Sequence, residues 1–274
     1  MASIDLRDVD FEKISRFVYD HCGINLHEGK KALVKARLGK RLREGNFKSF
    51  SDYYRYVTTP EGSDELIVMI DSLSTNLTSF FREADHFLRL REIAAEVIKK
   101  SRRGSIPKLR IWSAGCSTGE EPYSIAMSLR EMHGEHEIGV KIIATDISTR
   151  VLNKAIQGIY PGEKVGNVSS ALLKKYFQVG QRNWDGYYRV KQEIKDMVDF
   201  ERFNLMEEVP YREPFDVIFC RNVMIYFDKK TQGAMVSKYF KCLKDGGYLF
   251  VGRSESLTGL NHQFKYAEPS VYRK

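Results

Sequence analysis

A glycine-rich turn in the middle of the chain has residue types that could do chemistry. It is Gly115-Cys116-Ser117-Thr118-Gly119, and it satisfies the G-x-S-x-G pattern of a hydrolase nucleophile elbow. The same turn could instead hold a cofactor, because glycines permit tight turns and a following helix offers free backbone N–H groups. The first interpretation predicts acyl transfer at Ser117, whereas the second predicts a binding loop.

The hydrolase interpretation needs an acid and then a histidine later in the chain. The histidines after Ser117 are His133, His136 and His262. The first two lie in a polar segment typical of a solvated helix end, and no strand-end acid accompanies His262. The elbow also usually follows a strand in the middle of the sheet, whereas this turn follows the first strand of its region. A serine hydrolase therefore stays only as an alternative.

An acid further along the chain favours the binding-loop interpretation. The second predicted strand ends in Asp146. An acid at this position of a dinucleotide-binding sheet accepts hydrogen bonds from ribose hydroxyls. The alternative is that Asp146 caps the next helix together with Ser148. The turn and the acid in this order indicate a nucleoside-containing cofactor.

The elements that must position these residues change in type near Leu109. Residues 8 to about 100 have helical periodicity, whereas short apolar runs then alternate with helical stretches. Such alternation is typical of α/β domains, in which a mostly parallel sheet is covered on both faces. We expect a helical domain over 1–80, a linking helix and loop over 81–108, and an α/β domain over 109–274. Short strands after the turn NWDG predict a small β insertion at about 178–203.

The individual elements follow from the same patterns. The predicted strands are Leu109–Ala114, Val140–Asp146, Phe215–Cys220 and Gly247–Gly252. The predicted helices are Glu83–Lys100, Glu120–Met132, Thr149–Ile156 and Lys229–Leu243.

Composition limits the classes of function. The chain has 274 residues and 42% hydrophobic content, without an apolar run near the roughly 20 residues of a membrane span. The acidic, amphipathic N-terminus is unlike a secretory signal, so we expect a cytoplasmic protein that does not insert into membranes. Its four cysteines are widely spaced, with no C-x-x-C pair, so we expect neither a disulfide framework nor a metal site.

Positive charge is concentrated in one segment. The net charge is +8, and Lys30–Lys48 contains eight basic residues but only one acid, Glu44. In a helix, Val34, Leu38 and Leu42 would share one stripe, whereas Lys30, Arg37 and Arg41 would share another. The basic stripe predicts an acidic partner, which could be a protein surface, a nucleic acid or an anionic membrane.

Four segments together resemble the CheR family of chemotaxis-receptor methyltransferases. They are STNLTSFFRE (Ser74–Glu83), WSAGCSTGEEPYSIA (Trp112–Ala126), ATDIS (Ala144–Ser148) and FCRNVMIYFD (Phe219–Asp228). The closing GYLFVGRSES (Gly247–Ser256) also fits, so the resemblance covers nearly all of the chain. It implies an all-α N-terminal domain and a Rossmann-like S-adenosylmethionine methyltransferase domain with an inserted small antiparallel β subdomain. Ser117 stands where many general methyltransferases carry glycine, a departure that this family tolerates.

The resemblance also implies an activity. The family transfers a methyl group from S-adenosylmethionine to specific glutamate side chains of chemoreceptors (methyl-accepting chemotaxis proteins) in chemotactic adaptation. The products are glutamate methyl esters and S-adenosylhomocysteine, and no metal is expected. The implied partner is the cytoplasmic helical domain of a chemoreceptor, and a receptor C-terminal peptide on the β subdomain is a further candidate. We expect a monomer. A nucleic-acid methyltransferase is an alternative, but no N-P-P-[YF] motif is present, so we expect no nucleic-acid partner.

The residues that the resemblance assigns to the cofactor are spread over five segments. They are Asn76, Thr78, Arg82, Gly115, Glu121, Asp146, Asn204, Leu205, Asn222 and Val223. Several have ordinary structural alternatives: Glu121 could be a first-turn acid favoured by the helix dipole, and Asn76 and Thr78 could be helix caps. Asn222 could satisfy the backbone at the end of a strand.

The reaction that the resemblance implies needs alignment more than acid–base help. A glutamate acceptor has a reference pKa of about 4.3, so it is ionised at neutral pH and needs no general base. The enzyme must still align the carboxylate oxygen, the methyl carbon and the sulfur, and remove water from the nucleophile. Arg82 is the candidate for orienting the incoming carboxylate, because a guanidinium makes a two-pronged contact. Tyr226 is a second positioning candidate, with a packing role as its alternative. Lys30, Arg37 and Arg41 would bind the acidic receptor.

Overall fold

The structure, a computed structural model, describes residues 4–74, 76–101, 106–132 and 138–274. Within these ranges no helix is both long and apolar enough to cross a lipid bilayer. A helical domain comes first, and an α/β domain follows it. Residues 102–105 of the predicted loop over 101–108 lie outside the described residues.

The helical domain is held together by apolar stripes. Val34, Leu38 and Leu42 are fully buried, as their four-residue spacing predicts. They share one hydrophobic cluster with Ile14 and Val18. The helices are α1 (Asp8–Cys22), α2 (Lys31–Glu44), α3 (Phe50–Val57) and α4 (Ser63–Leu73).

The linking helix, α5 (Asp85–Lys100), begins two residues later than predicted. Phe81 and Glu83 have φ angles of 52° and 57°, which a right-handed helix does not accommodate. The helix can therefore start only after Glu83. Its buried Phe87 and Leu90 pack in the same core cluster as one face of the α/β sheet.

The α/β domain alternates strands and helices, as the apolar pattern predicts. Its helices are α6 (Glu120–Arg130), α7 (Thr149–Gln157), α8 (Ser170–Tyr176), α9 (Gln192–Lys195) and α10 (Lys229–Cys242). Its strands are β1 (Lys108–Ala114), β2 (Gly139–Asp146), β3 (Ile159–Pro161), β4 (Phe177–Val179), β5 (Tyr187–Val190), β6 (Val198–Arg202), β7 (Phe215–Cys220), β8 (Leu243–Val251), β9 (Lys265–Glu268) and β10 (Val271–Arg273).

Seven of the described strands form one sheet in the order β6-β2-β1-β7-β8-β10-β9. Its first five strands are parallel neighbours, and β10 runs antiparallel to β8 and β9. Successive side chains of β1 point to opposite faces, so Ile111 joins one core cluster and Trp112 joins the other. The predicted mostly parallel sheet with two covered faces is confirmed.

A small antiparallel sheet of order β3-β5-β4 is inserted into this domain. The predicted insertion at about 178–203 is misplaced. Its last segment, β6, pairs in parallel with β2 of the large sheet, with Ile142 opposite Val198. The inserted sheet instead begins at Ile159. The sequence of a short strand does not indicate which strand it pairs with. In the fold, β6 covers what would otherwise be the open edge of β2.

His86 gives the fold a pH dependence. Its side chain is buried, and neither ring nitrogen has a hydrogen-bond partner. Burial, together with the charge of Arg221, lowers the pKa of His86 to about 4. The unfolded chain, with a pKa of about 6.5, therefore binds a proton at pH 5 that the folded chain does not. We expect this group alone to lower the free energy of unfolding by about 2 kcal/mol between pH 8 and pH 5.

Urea denaturation of the wild type and of His86→Phe at both pH values tests this expectation. The variant should lose less stability on acidification than the wild type does. Equal losses in the two proteins would show that His86 is not the titrating group.

Candidate active site

A pocket of about 960 Å³, including solvent at its mouth, lies at the carboxyl ends of β1, β2 and β7. Small-molecule sites span about 300–1,000 Å³ and occur at this edge of open α/β sheets. The turn after β1, Asp146 at the end of β2 and the segment after β7 line it. Cys22 and Ile24 of the helical domain form another wall. The pocket is therefore built by both domains.

The residues predicted to touch the cofactor or the reacting centre converge on this pocket. Its lining includes Asn76, Thr78, Arg82, Gly115, Glu121, Asp146, Asn204, Leu205, Asn222, Val223 and Tyr226. Their placement together is observed, and the role of each stays a prediction. Lys30, Arg37 and Arg41 lie outside the lining.

The glycine turn is shaped for close approach. Gly115 and Gly119 have φ angles of 81° and 92°, and Ser117 has 50°. The amide nitrogens of Gly115 and Cys116 both donate to the Thr145 carbonyl, at 2.8 and 2.9 Å. A Cβ at Gly115 would lie 2.5 Å from Val223 Cγ2, so only glycine lets the turn approach the segment after β7.

Ser117 is not placed as a nucleophile. Its Oγ donates to the Asn76 carbonyl at 3.1 Å, and no histidine is among the described residues that line the pocket. His262 lies elsewhere, with its ring near those of Phe264 and Tyr272. His133 and His136 fall outside the described residues. The turn therefore lacks the contacts of a catalytic serine.

Asp146 makes the capping contacts that one interpretation predicts, and it also lines the pocket. Its Oδ1 accepts from the Ser148 amide and its Oδ2 from the Ser117 amide, each at 2.9 Å. Ser148 caps α7 by accepting from the Val151 amide. An ionised carboxylate has about four acceptor positions, so these two bonds do not use all of them. Burial raises the pKa of Asp146, while hydrogen bonds from backbone amides, those of Ser148 and Ser117 first, oppose the rise.

Glu121 is held by two polar partners. Its Oε1 accepts from Ser113 Oγ at 2.7 Å, and its Oε2 lies 3.3 Å from Arg221 Nη1. Burial raises the pKa of this carboxyl, and the charge of Arg221 opposes the rise. An acid oriented in this way can face a cationic part of a ligand.

Glu255, which the sequence patterns do not single out, holds the segment after β7 in place. Its Oε2 accepts from the amides of Asn222 and Gly252, at 2.8 and 2.6 Å, and its Oε1 accepts from the Ile225 amide at 3.2 Å. Asn222 has a left-handed φ of 58°. Glu255 thereby fixes the segment that carries Asn222, Val223 and Tyr226. Its presence in the quoted motif GRSES was the only signal for it.

Hydrogen bonds between the domains fix the pocket walls. Asn204 Nδ2 donates to the His21 carbonyl at 2.6 Å, and the Asn25 amide donates to the Tyr226 carbonyl at 2.8 Å. Tyr19 Oη donates to Asp228 Oδ2 at 2.8 Å. Two candidate residues, Asn204 and Tyr226, are therefore positioned by the helical domain.

The basic segment carries less free charge than its sequence suggests. Arg37 Nη1 donates to the carbonyls of Leu73 and Ser74, at 2.7 and 2.9 Å. Arg41 makes a two-pronged ion pair with Glu65, at 3.0 and 2.7 Å. Both arginines thus hold α2 against α4. The third predicted partner residue, Lys30, is exposed, as are Lys40, Arg43 and Lys48.

Comparison with known proteins connects this geometry with a family. The family description "CheR methyltransferase, all-alpha domain" matches residues 9–74, and "CheR methyltransferase, SAM binding domain" matches residues 76–273. The chain belongs to the CheR methyltransferase family. The two CheR matches meet near Thr75, slightly before the boundary predicted at residue 80. They confirm the predicted fold class, an all-α domain followed by a methyltransferase domain.

Curated relatives of this CheR chain cover it almost completely. The chemotaxis protein methyltransferase of Borreliella burgdorferi is 42% identical over 99% of this chain and 96% of its own length. That of Escherichia coli is 41% identical over 97% of this chain and 91% of its own length. Within the described ranges, no group of three or more His, Cys, Asp or Glu side chains is arranged to hold a metal ion.

Proposed function

We propose that this CheR family member methylates specific glutamate side chains of chemoreceptors, with S-adenosylmethionine as the methyl donor. The observation that carries the proposal is the convergence of the predicted cofactor and acceptor residues in one pocket. Membership of a methyltransferase family supports the reaction class, and the relatives' names support a role in chemotaxis. The glutamate acceptor follows from the resemblance together with the chemistry of the site.

The polar groups that line the pocket suit S-adenosylmethionine. Asp146 has free acceptor positions for ribose hydroxyls, and Glu121 can face the cationic methionine portion. When bound, S-adenosylmethionine supplies an electrophilic methyl group on a positively charged sulfur. Arg82 would orient the acceptor carboxylate, and the apolar wall of Phe203, Leu205 and Val223 would exclude water. A carboxylate oxygen would then bond to the methyl carbon while the carbon–sulfur pair passes to sulfur, so no proton moves.

Transfer of a labelled methyl group tests this function. The protein is incubated with methyl-labelled S-adenosylmethionine and the cytoplasmic helical domain of a chemoreceptor, and the product is treated with base. We expect label to be released as methanol, because carboxyl methyl esters hydrolyse and N-methyl groups do not. Base-stable label, or label transferred to RNA in a parallel reaction, would favour the nucleic-acid alternative.

The exposed basic residues of α2 and its flanks would steer an acidic receptor. We expect Lys30→Glu/Arg43→Glu to lower kcat/KM for receptor methylation about 10-fold at low salt, because charge complementarity mainly accelerates association. The loss should shrink above 0.1 M salt, where the Debye length is about 10 Å or less. Lys99→Glu/Lys100→Glu at the end of α5 is the control. If the two double variants lowered kcat/KM equally, only the net charge of the protein would influence association with the receptor.

Arg37 and Arg41 are unsuitable for this test because they hold the helical domain together.

A receptor tail peptide is a second proposed partner, bound at the β subdomain. Strand β4 is one of the two edge strands of the small sheet, and a peptide can add to such an edge as a further strand. Val179 and Trp184 are 62% and 56% exposed beside this edge. The other tryptophan, Trp112, is fully buried. We expect synthetic peptides of receptor C-termini to shift the fluorescence of Trp184 to shorter wavelength. The same shift in Trp184→Phe would place the binding elsewhere.

A further inference from the structure

A cluster of three charges lies in the wall of the pocket, which Arg221 and Glu121 line, and the proposed function does not account for its central member. Arg221 follows β7, and its side chain is 2% exposed. Its Nη1 lies 3.3 Å from Glu121 Oε2, and its Nη2 lies 3.1 Å from Glu83 Oε2. Nη2 also donates to the carbonyl of Arg82. One guanidinium thus joins the cofactor acid to the segment that carries the acceptor-orienting arginine.

The Arg82 segment needs such support because its backbone is strained. Phe81 and Glu83, on either side of Arg82, have the left-handed φ angles already noted, and each costs of order 1 kcal/mol or more. The Phe81 amide donates to Ser124 Oγ at 3.0 Å. Beyond Arg82, the Glu83 carboxylate contacts Arg221, the Arg253 amide at 3.2 Å, and His86, whose Nδ1 lies 3.5 Å from Oε2. Without Arg221, the Arg82 carbonyl and Glu83 would lose their charged donor.

We propose that Arg221 is a positioning residue that couples the two halves of the active site, orienting Glu121 toward the cofactor and fixing the backbone of Arg82 for the acceptor. This inference rests on the proposed function, in which Glu121 contacts S-adenosylmethionine. Arg221 acts through these two residues. The planar guanidinium of Arg221 reaches Glu121, Glu83 and the Arg82 carbonyl in three different directions. The single ammonium group of a lysine cannot make these three contacts at once.

Electrostatics adds a distinguishing consequence. Burial raises the pKa of Glu121, and the charge of Arg221 is the largest influence that lowers it. Removing Arg221 would leave Glu121 close to the second carboxylate, Glu83, which raises the pKa further. Glu121 would then take up a proton at a higher pH and stop attracting the cationic methionine portion. The titratable or charged groups that interact with Glu121 are Arg221, Glu83, Arg82, Cys116 and Cys220. His86 in turn interacts with Arg221 and Glu83.

Calorimetric binding of S-adenosylhomocysteine between pH 6 and pH 8.5 tests the proposal in the full-length protein. In Arg221→Met, we expect the ratio of the affinities at pH 8.5 and pH 6 to exceed the wild-type ratio about 10-fold, which corresponds to one pKa unit. Glu83→Gln added to this variant should bring the ratio back toward the wild-type value. The control is Arg89→Met on α5, which removes a half-buried arginine that pairs with Glu92 and Glu268 away from the pocket.

Arg221→Lys keeps the positive charge but removes the planar guanidinium, so it separates the effect of charge from that of geometry. It also tests the coupling role if Arg221→Met does not fold. It should keep the wild-type pH profile of binding but lose about 10-fold or more in kcat for receptor methylation, because Arg82 is no longer held. A wild-type pH profile in folded Arg221→Met, or wild-type kcat in Arg221→Lys, would overturn the coupling role. Failure of the wild type to bind S-adenosylhomocysteine would instead overturn the proposed function.

Discussion

Replacing Asp146 by asparagine is expected to lower the affinity for S-adenosylmethionine about 100-fold, or ~2.7 kcal/mol. Both carboxylate oxygens accept a backbone amide, from Ser148 and Ser117. Asparagine would turn one of these acceptors into an NH₂ group that faces another donor. The glycine turn would lose its anchor, and the ribose would lose a charged acceptor. Hydrogen bonds to charged groups contribute about 1.5–3 kcal/mol each, so the loss of one such bond accounts for this change.

A matched control lies at the opposite end of the same sheet. Asp216 is the second residue of β7. Its Oδ2 accepts from the Arg110 amide at 2.8 Å, and its Oδ1 accepts from Lys244 at 2.7 Å. We expect Asp216→Asn to lower the free energy of unfolding without changing cofactor affinity in calorimetry. If Asp146→Asn kept wild-type affinity while losing stability to the same extent as Asp216→Asn, Asp146 would be a structural cap and nothing more.

The regular elements of the α/β domain could be predicted closely from the sequence. The predicted bounds of the strand Phe215–Cys220 match the observed ones, and the predicted starts of α6, α7 and α10 coincide with the observed starts. These elements are long, with buried apolar runs, so their periodicity is set by local sequence. The sequence predicts the wrong sheet for β6, because its five residues fit an antiparallel insertion as well as a parallel edge strand. Only the tertiary fold, which leaves β2 open on one side, decides between them.

Charged residues show the same limit at the site. The family motifs located the pocket residues, but the basic stripe of α2 was overestimated, since Glu65 and the end of α4 engage Arg41 and Arg37. Arg221, by contrast, lay inside a quoted motif without being singled out. A sequence gives the charge of a side chain, whereas its partner is set by distant segments that packing brings together. Arg221 meets acids that lie about 100 or more residues earlier in the chain.

Arg82 is expected to show the clearest separation of catalysis from binding. One of its donors, Nη1, is used by the Leu77 carbonyl at 3.1 Å, and the side chain lines the pocket. We expect Arg82→Ala to lower kcat for receptor methylation about 100-fold, which is the cost of misplacing a reactant by about 1 Å. Affinity for S-adenosylhomocysteine should fall much less. Arg82→Lys should lie between the two, because a point charge attracts the acceptor carboxylate without fixing its plane.

Steady-state kinetics at saturating S-adenosylmethionine, combined with calorimetry, measure this separation. Arg253→Ala is the matched control, since that side chain pairs with Asp85 near the pocket without lining it. Because the acceptor is already ionised, the kcat deficit of Arg82→Ala should be the same from pH 6 to pH 8.5. A deficit that vanished at high pH would mean that Arg82 lowers the pKa of a group rather than aligning the carboxylate. A loss in cofactor affinity as large as the loss in kcat would make Arg82 a cofactor ligand and leave Tyr226 as the candidate for orienting the acceptor.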